Sequence, residues 1–454
     1  MNINIKIKYF SLRFLIIFTL TIFVSWFTKL SYIGTSSLPK VTQRLILFLA
    51  SMPESAVAVL RSFRSMKTID LHYYDRINVE KNQFNWDPGY ILVSKSAKEG
   101  HDVIGLLDLK IAAFIGVHTN RPNDRCDNAL LMANGSDLIQ PINKNYTRAY
   151  HPLIVGVDQL IYINGWNSLS SIDIRSGKEM WRLNGSFHHS IEIDENNDLV
   201  LCASQTHINS KSTQSDIETN LARFEDNLIV KVSLGGEIKY AKSVFELLME
   251  AGLEYLVFGT KCETIRGDPF HLNQVTPVVS NLGSFRKGQL LISLRNLSLI
   301  VLFDPYSNKV IWYKSGPWMN QHCTLIRSED SISMLDNHSY VYQSPHYWVS
   351  TNWNSSVKVY NFSKSVVDDV LPSMKKYNIR IGIEGRAYQL SDENWLIEDS
   401  SMGSIFIFDK EACRFKWVNR LDDEHAGVIS WSRPVGRLRG ESIIQSLHAS
   451  KIER

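Results

Sequence analysis

The chain has 454 residues, 44% hydrophobic and 11% aromatic, which is enough apolar side chain for a large core and too much for a disordered chain. Acidic and basic residues are interspersed and the net charge is only +3, so no clustered basic face marks a nucleic-acid binder. The five cysteines, Cys126, Cys202, Cys262, Cys323 and Cys413, are scattered without a C-x-x-C pair, which argues against a zinc site or a disulfide framework.

The first element is apolar. Lys6, Lys8 and Arg13 precede an uncharged run from Phe14 to Thr28, and Lys29 follows it. With snorkelling ends, Tyr9 to Ile33 reaches the ~20 residues that cross a bilayer. No small-x-small cleavage site follows promptly, the nearest being Ala56-Val57-Ala58, so the segment reads as an uncleaved single-pass transmembrane helix rather than a signal peptide. With the short N-terminus inside, the rest of the chain lies on the periplasmic or extracytoplasmic side. Residues 41–68 read as a helical neck, because Leu45 to Met52 is too short to span and Pro53 interrupts it.

From about residue 84 short strands dominate, and one pattern recurs: a hydrophobic strand, a polar turn, a second strand, an Asp or Ser turn, then a strand often ending in Trp. The copies run from Ile91 to Asp108, Leu160 to Trp181, Leu199 to Ser233, Leu290 to Trp312, Ile332 to Tyr360, and Trp395 to Trp417. Six copies of about four strands each, none able to bury its own apolar face, predict an all-β, six-bladed β-propeller. The chain then divides into an anchor (1–35), a partly helical neck (36–83), the propeller (84–435) and a C-terminal tail (436–454). Sequons such as those at Asn145 and Asn296 would matter only in a glycosylating host.

A further strand precedes most copies and would be the innermost of its blade. His189 stands ten residues before Leu199, and His322 ten before Ile332, so the two are placed at equivalent positions at the start of inner strands. His271 begins an inner strand in the fourth blade, and Arg295 closes the strand antiparallel to it. All four should therefore meet at one mouth of the central channel. Asp336 and Asp399 end their strands as Arg295 does, and would either cap turns or pair with that arginine.

Arginine presents a planar fork that matches sulfate or phosphate oxygens, and neutral imidazole is a nucleophile near pH 7. A second imidazole can carry the proton of a phenol. The same histidines could be ordinary core residues or a metal centre; no carboxylate or cysteine accompanies them at tight metal-ligand spacing, although Cys323 adjoins His322. The reading is of no metal and no cofactor.

The segments Phe187-His-His-Ser-Ile-Glu, Phe270-His-Leu-Asn-Gln-Val, Leu291-Ile-Ser-Leu-Arg and Asn320-Gln-His-Cys resemble, in order and spacing, the bacterial arylsulfotransferases, as does Phe303-Asp-Pro-Tyr-Ser-Asn-Lys-Val-Ile-Trp. The resemblance spans roughly residues 85–435. It implies transfer of a sulfuryl group from an aryl sulfate ester to a phenol without a nucleotide donor. It further implies that His322 is transiently sulfated, that His271 and Asn273 bind the sulfuryl oxygens, and that Arg295 neutralises their charge. His189 would be the acid/base toward the phenol, with His188 as the alternative match. Cys323 stands where an acidic residue often follows the family's Gln-His. Two other readings remain: a quinoprotein-like propeller, for which no quinone-stacking Trp or calcium carboxylate set is found, and a non-catalytic envelope scaffold, which would have a bare channel mouth.

Overall fold

The structure is a computed structural model, and it describes residues 69–70, 77, 79, 84–97, 101–120, 148–207, 224–259, 267–339, 341–343, 348–350 and 353–452. The expected anchor, most of the neck, Cys126, Cys262 and the Asn145 sequon lie outside the described residues. Two compact units are separable, residues 1–67 with 343–348, and residues 68–342 with 349–454. Of the first unit only Gln343 and Trp348 are described, and every other described residue belongs to the second.

The second unit is built from six four-stranded antiparallel sheets, the blades of a propeller. Blade 1 carries β1 (Tyr90–Ser96), β2 (Asp102–Asp108) and β3 (Ala113–Asn120). Blade 2 is β4 (Ala149–Val155), β5 (Gln159–Asn164), β6 (Ser168–Asp173) and β7 (Glu179–Asn184). Blade 3 is β8 (Phe187–Ile193), β9 (Leu199–His207), β10 (Phe224–Val232) and β11 (Ile238–Ser243). Blade 4 is β12 (Leu272–Pro277), β13 (Leu290–Leu294), β14 (Leu299–Asp304) and β15 (Lys309–Ser315). Blade 5 is β16 (His322–Ser328), β17 (Ser331–Asp336), β18 (Ser356–Asn361) and β19 (Val366–Asp369). Blade 6 is β20 (Arg386–Gln389), β21 (Trp395–Asp399), β22 (Ser404–Phe408) and β23 (Cys413–Val418).

The ring closes through the chain ends. The last strand, β24 (Ile429–Val435), pairs with β1 and becomes the innermost strand of blade 1. The six inner strands β24, β4, β8, β12, β16 and β20 then contact one another in a closed cycle. No sheet edge is left at the centre, which is how propellers manage unpaired strand edges.

The recurring Asp has a local cause. Asp108, Asp173 and Asp304 end the third strand of their blades, Asp409 immediately follows its own, and these four accept backbone N–H groups of the following turn, from Lys110, Ser176, Tyr306 and Ala412 respectively. Such side chain-to-backbone bonds fix a tight hairpin. In blades 3 and 5 Ser233 and Asn361 do the same work. The Trp residues sit opposite on the outer strand, Trp181 across from Ser171, Trp312 from Leu302 and Trp417 from Ile405.

Between blades lie apolar layers of Leu, Ile, Val and Phe from facing sheets, for example Val200, Ile229, Leu272, Val275, Ile292 and Val301 between blades 3 and 4. The helices α1 (Val244–Glu250) and α2 (Glu254–Phe258) cover that layer. The residues beyond β24 form a helix, Arg437–Ile452, whose Ile443 packs on the layer between blades 1 and 2. Its Arg437 pairs with Asp87 and Asp108.

Candidate active site

Each inner strand starts at the same end of the ring, and each second strand ends there. His188 and His189 are therefore the second and third residues of β8, His271 immediately precedes β12, and His322 begins β16. Arg295 immediately follows β13. The three imidazoles converge: the His189 ring centre lies 4.9 Å from that of His271 and 6.5 Å from that of His322. One ring nitrogen from each of the three lies within 4.8 Å of the others.

A backbone irregularity aims these rings. Each of β4, β8, β16 and β24 has a bulge near its start, and the bulge holds a left-handed residue: His151 (φ 45°), His189 (φ 58°), Cys323 (φ 51°) and Trp431 (φ 52°). His271 is left-handed too, at φ 53°. Such conformations cost of order 1 kcal/mol or more for a bulky residue, and bulges re-aim side chains beside functional sites. The bulges also correct the sequence alignment of blades. His322 pairs with Leu335 as His188 pairs with Cys202, so the ladder equivalent of His322 is His188, and that of His189 is Cys323. Counting ten residues back from the second strand missed this because both bulges leave two inner-strand residues unpaired, but β17 also leaves Met334 unpaired opposite its bulge while β9 leaves none.

The Nδ1 atom of each histidine at the mouth has a partner. His322 Nδ1 lies 2.7 Å from Asn337 Oδ1. The Asn337 amide donates to the Ile381 and Glu384 carbonyls at 3.0 and 2.8 Å, so its oxygen faces the ring and His322 must carry its proton on Nδ1. Nε2 is then left with its lone pair. His271 Nδ1 is 2.5 Å from Asp268 Oδ2, and His189 Nδ1 is 2.6 Å from His188 Nδ1. His188 is thus a support for His189, and its Nε2 is buried without a hydrogen-bond partner among the described residues. Asn273 is fully buried and donates to the Gln321 carbonyl at 2.7 Å, which fastens the peptide before His322. Asn296, a sequon residue, donates to the Asp268 carbonyl and accepts from Arg295.

Beneath the histidines lie residues that the repeat pattern did not single out. Trp431, from the closing strand, is 5.2 Å from His189 and 6.0 Å from His322, ring centre to ring centre. The guanidinium of Arg386 lies 4.7 Å from the Trp431 ring. Arg386 is itself fully buried and held by Gln274 and the Tyr388 hydroxyl. His151 accepts the Ile191 N–H at 2.8 Å and packs 5.7 Å from Trp431. A signal existed for two of these. Ten residues before Trp395 is Gly385, next to Arg386, and ten before Leu160 is Tyr150, next to His151. Trp431 had none, because the inner strand of blade 1 comes from the far end of the chain.

Burial decides the protonation of the cluster. It pushes His189 and His322 well below the usual 6.5, with neighbouring His188 as the next cause for His189 and Arg295 for His322. Burial likewise holds His188 at about 4 and His151 well below 6.5. Burial alone would raise Asp268, but the charge of and hydrogen bonds from His271 outweigh it and leave the carboxyl low. Asp336 and Asp399 cap turns: Asp336 accepts from Met319 and His338 and pairs with Lys358, and Asp399 accepts from Met402. Burial raises Asp399 to about 7. Among the described residues Cys202, Cys323 and Cys413 are free thiols.

The four depressed histidines make stability fall with acid. Below about pH 6.5 the unfolded chain protonates these rings while the folded one does not, so the unfolded state binds more protons and is favoured as pH drops. The loss continues until the folded rings titrate, at about 4 for His188. Unfolding free energies from denaturant melts between about pH 7.5 and pH 5 should fall steadily, by up to about 1.4 kcal/mol per pH unit for each ring. A flat profile would mean that these rings titrate in the fold as they do in the unfolded chain.

A search of curated proteins returns no match. Solved structures with similar backbones include one titled a nidogen/laminin complex (8% identity, 75% of this chain and 97% of that one, TM-score 0.40). Others are a virginiamycin B lyase from Staphylococcus aureus (9%, 74% and 86%, TM-score 0.35) and the Neurospora crassa Pan2 WD40 domain (10%, 71% and 75%, TM-score 0.34). Overlaps this loose carry no argument about function. The sequence profile of the arylsulfotransferase (ASST) family matches residues 159–420, more than half of the chain, and takes in blade 2 from its second strand onward and blades 3 to 6, with His188, His189, His271, Asn273, Arg295 and His322. The chain therefore belongs to the arylsulfotransferase family of enzymes.

Proposed function

We propose that this protein moves a sulfuryl group from an aryl sulfate ester to a phenol through a sulfo-histidine formed at His322, without a nucleotide donor. The observation that carries the reading is the fixed tautomer of His322, with Nδ1–H donated to Asn337 and the ring neutral at pH 7, so that Nε2 offers its lone pair among two more imidazoles.

In the first half-reaction His322 Nε2 forms an N–S bond and the S–O bond to the aryl oxygen breaks, the phenolate leaving with the electron pair. The transition state is loose, so positioning and charge stabilisation do most of the work. Arg295 supplies the positive charge for the sulfuryl oxygens, and His271, held through Nδ1 by Asp268, stands beside it to bind them. Asn337 is a neutral acceptor and cannot take the Nδ1 proton, so the sulfated ring stays cationic. A cationic ring is a good leaving group. In the second half-reaction the acceptor phenol gives its proton to His189, its oxygen bonds to sulfur, and the N–S pair returns to His322. Asn273 holds the backbone that carries the nucleophile.

A short pulse of 4-nitrophenyl sulfate should add one sulfuryl mass to the peptide bearing His322, and initial-rate plots at several phenol levels should be parallel. Intersecting plots with no mass addition would replace the covalent route by direct transfer.

We also propose that residues 1–35 anchor the enzyme in a membrane with the propeller on the extracytoplasmic side. The reading is supported by the uncharged run Phe14–Thr28 between basic flanks. Among the described residues no helix is long and apolar enough to cross a membrane, so the attachment rests on that run alone. Deleting residues 1–35 should move a folded protein from the membrane pellet to the supernatant. Retention in the pellet would place the attachment elsewhere.

A further inference from the structure

Trp166 sits in the turn between β5 and β6, at the same end of the ring as the histidines. It is 36% exposed, although its ring centre is 5.5 Å from that of His189 and 5.9 Å from that of His188. Among the described large hydrophobic side chains that are exposed, Trp166 alone makes ring contact with the histidine cluster. Its backbone is left-handed, at φ 62°, a conformation that Asn or Gly adopts easily and a bulky residue does not. The fold thus holds an indole at the rim in a conformation for which its side chain is a poor choice. The ring packs on Tyr150, His188 and His189 and still leaves 36% of the residue exposed.

The spacing suits a substrate. A phenolic oxygen at hydrogen-bond distance from His189, about 3 Å, leaves its own ring about 5–6 Å from the imidazole, the separation the indole already keeps. His271, next to His189, has a partly exposed side chain, so the approach to the cluster is open on that side as well. An aryl ring entering with its oxygen toward His189 would meet the exposed indole in edge-to-face or offset contact.

Building on the sulfuryl-transfer reading, we propose that Trp166 is the aryl-binding wall of the site, so that the enzyme selects planar aromatic sulfates and phenols over aliphatic ones. The test uses the full chain and the variant Trp166→Asn, which removes the ring while suiting the left-handed backbone, with Trp166→Phe as the conservative partner. Binding of 4-nitrophenol, which needs no chemistry, is measured by calorimetry in the parent and both variants. The asparagine variant should bind about tenfold more weakly and the phenylalanine variant nearly as well as the parent. In kinetics with 4-nitrophenyl sulfate, Trp166→Asn should raise KM about tenfold and lower the preference for aryl over alkyl sulfate. Equal affinity and equal preference in parent and Trp166→Asn would overturn the proposal, as would a parent that binds no phenol. If phenol binding follows the ring but no sulfo-enzyme forms in any variant, the chemistry assigned to His322 fails and the aryl wall stands. If sulfo-enzyme forms in every variant and affinity is unchanged, the wall fails and the chemistry stands.

Discussion

Replacing His322 with asparagine should lower sulfuryl transfer from an aryl sulfate by on the order of 10³-fold or more and remove the sulfo-enzyme altogether. The side-chain amide of asparagine can still donate to Asn337 Oδ1, so the local fold is kept while the nucleophilic nitrogen is lost. Both half-reactions pass through that nitrogen, so donor cleavage and acceptor sulfation should fall together. A loss confined to one half-reaction would assign His322 an acid/base role and move the nucleophile to His189 or His271. Near-normal turnover would remove the covalent route. The prediction is sharp because the three imidazoles differ in their second partner: a neutral amide for His322, a carboxylate for His271, another imidazole for His189. Only the first fixes the tautomer with no charge of its own.

Removing the carboxylate of Glu398 should destabilise the propeller by roughly 3–5 kcal/mol, the largest effect expected of a side chain outside the histidine cluster. Glu398 is fully buried on β21 and reaches across to the closing strand. It accepts from the backbone N–H groups of Trp431 and Ser432 at 3.0 and 2.6 Å, and from the hydroxyls of Ser432 and Ser400. In Glu398→Ala two buried backbone donors lose their acceptor and a void forms at the seam where the chain ends meet. Denaturant melts followed by circular dichroism should show the lower midpoint, and the transfer rate should drop as well, because the same bonds hold Trp431 in its left-handed bulge under His189. Glu398→Gln keeps one acceptor oxygen and should lose less. A melt unchanged within about 1 kcal/mol would show that water or a shifted strand satisfies those donors.

The sequence by itself determined the blades. Alternation of apolar strands with Asp-led turns is local information: Asp173 and Asp304 bind the N–H groups two or three residues ahead, and Trp181 and Trp312 lie on the next strand. The order of His189, His271, Arg295 and His322 along the chain, each at a strand end, was enough to place them at one mouth. The tertiary structure decided what surrounds them. The bulge that separates His188 from His189 in the ladder depends on pairing with β9, and no spacing in β8 reveals it. Asn337 gains its meaning from carbonyls at Ile381 and Glu384, some 45 residues away in sequence, which turn its oxygen toward His322. Trp431 and its support, Glu398, enter the site only because β24 completes a blade begun by β1, a contact across the whole length of the chain. Periodicity records which face of a strand is buried. Ring closure records which distant strand lies beside it, and the chemistry of this site is set at that seam.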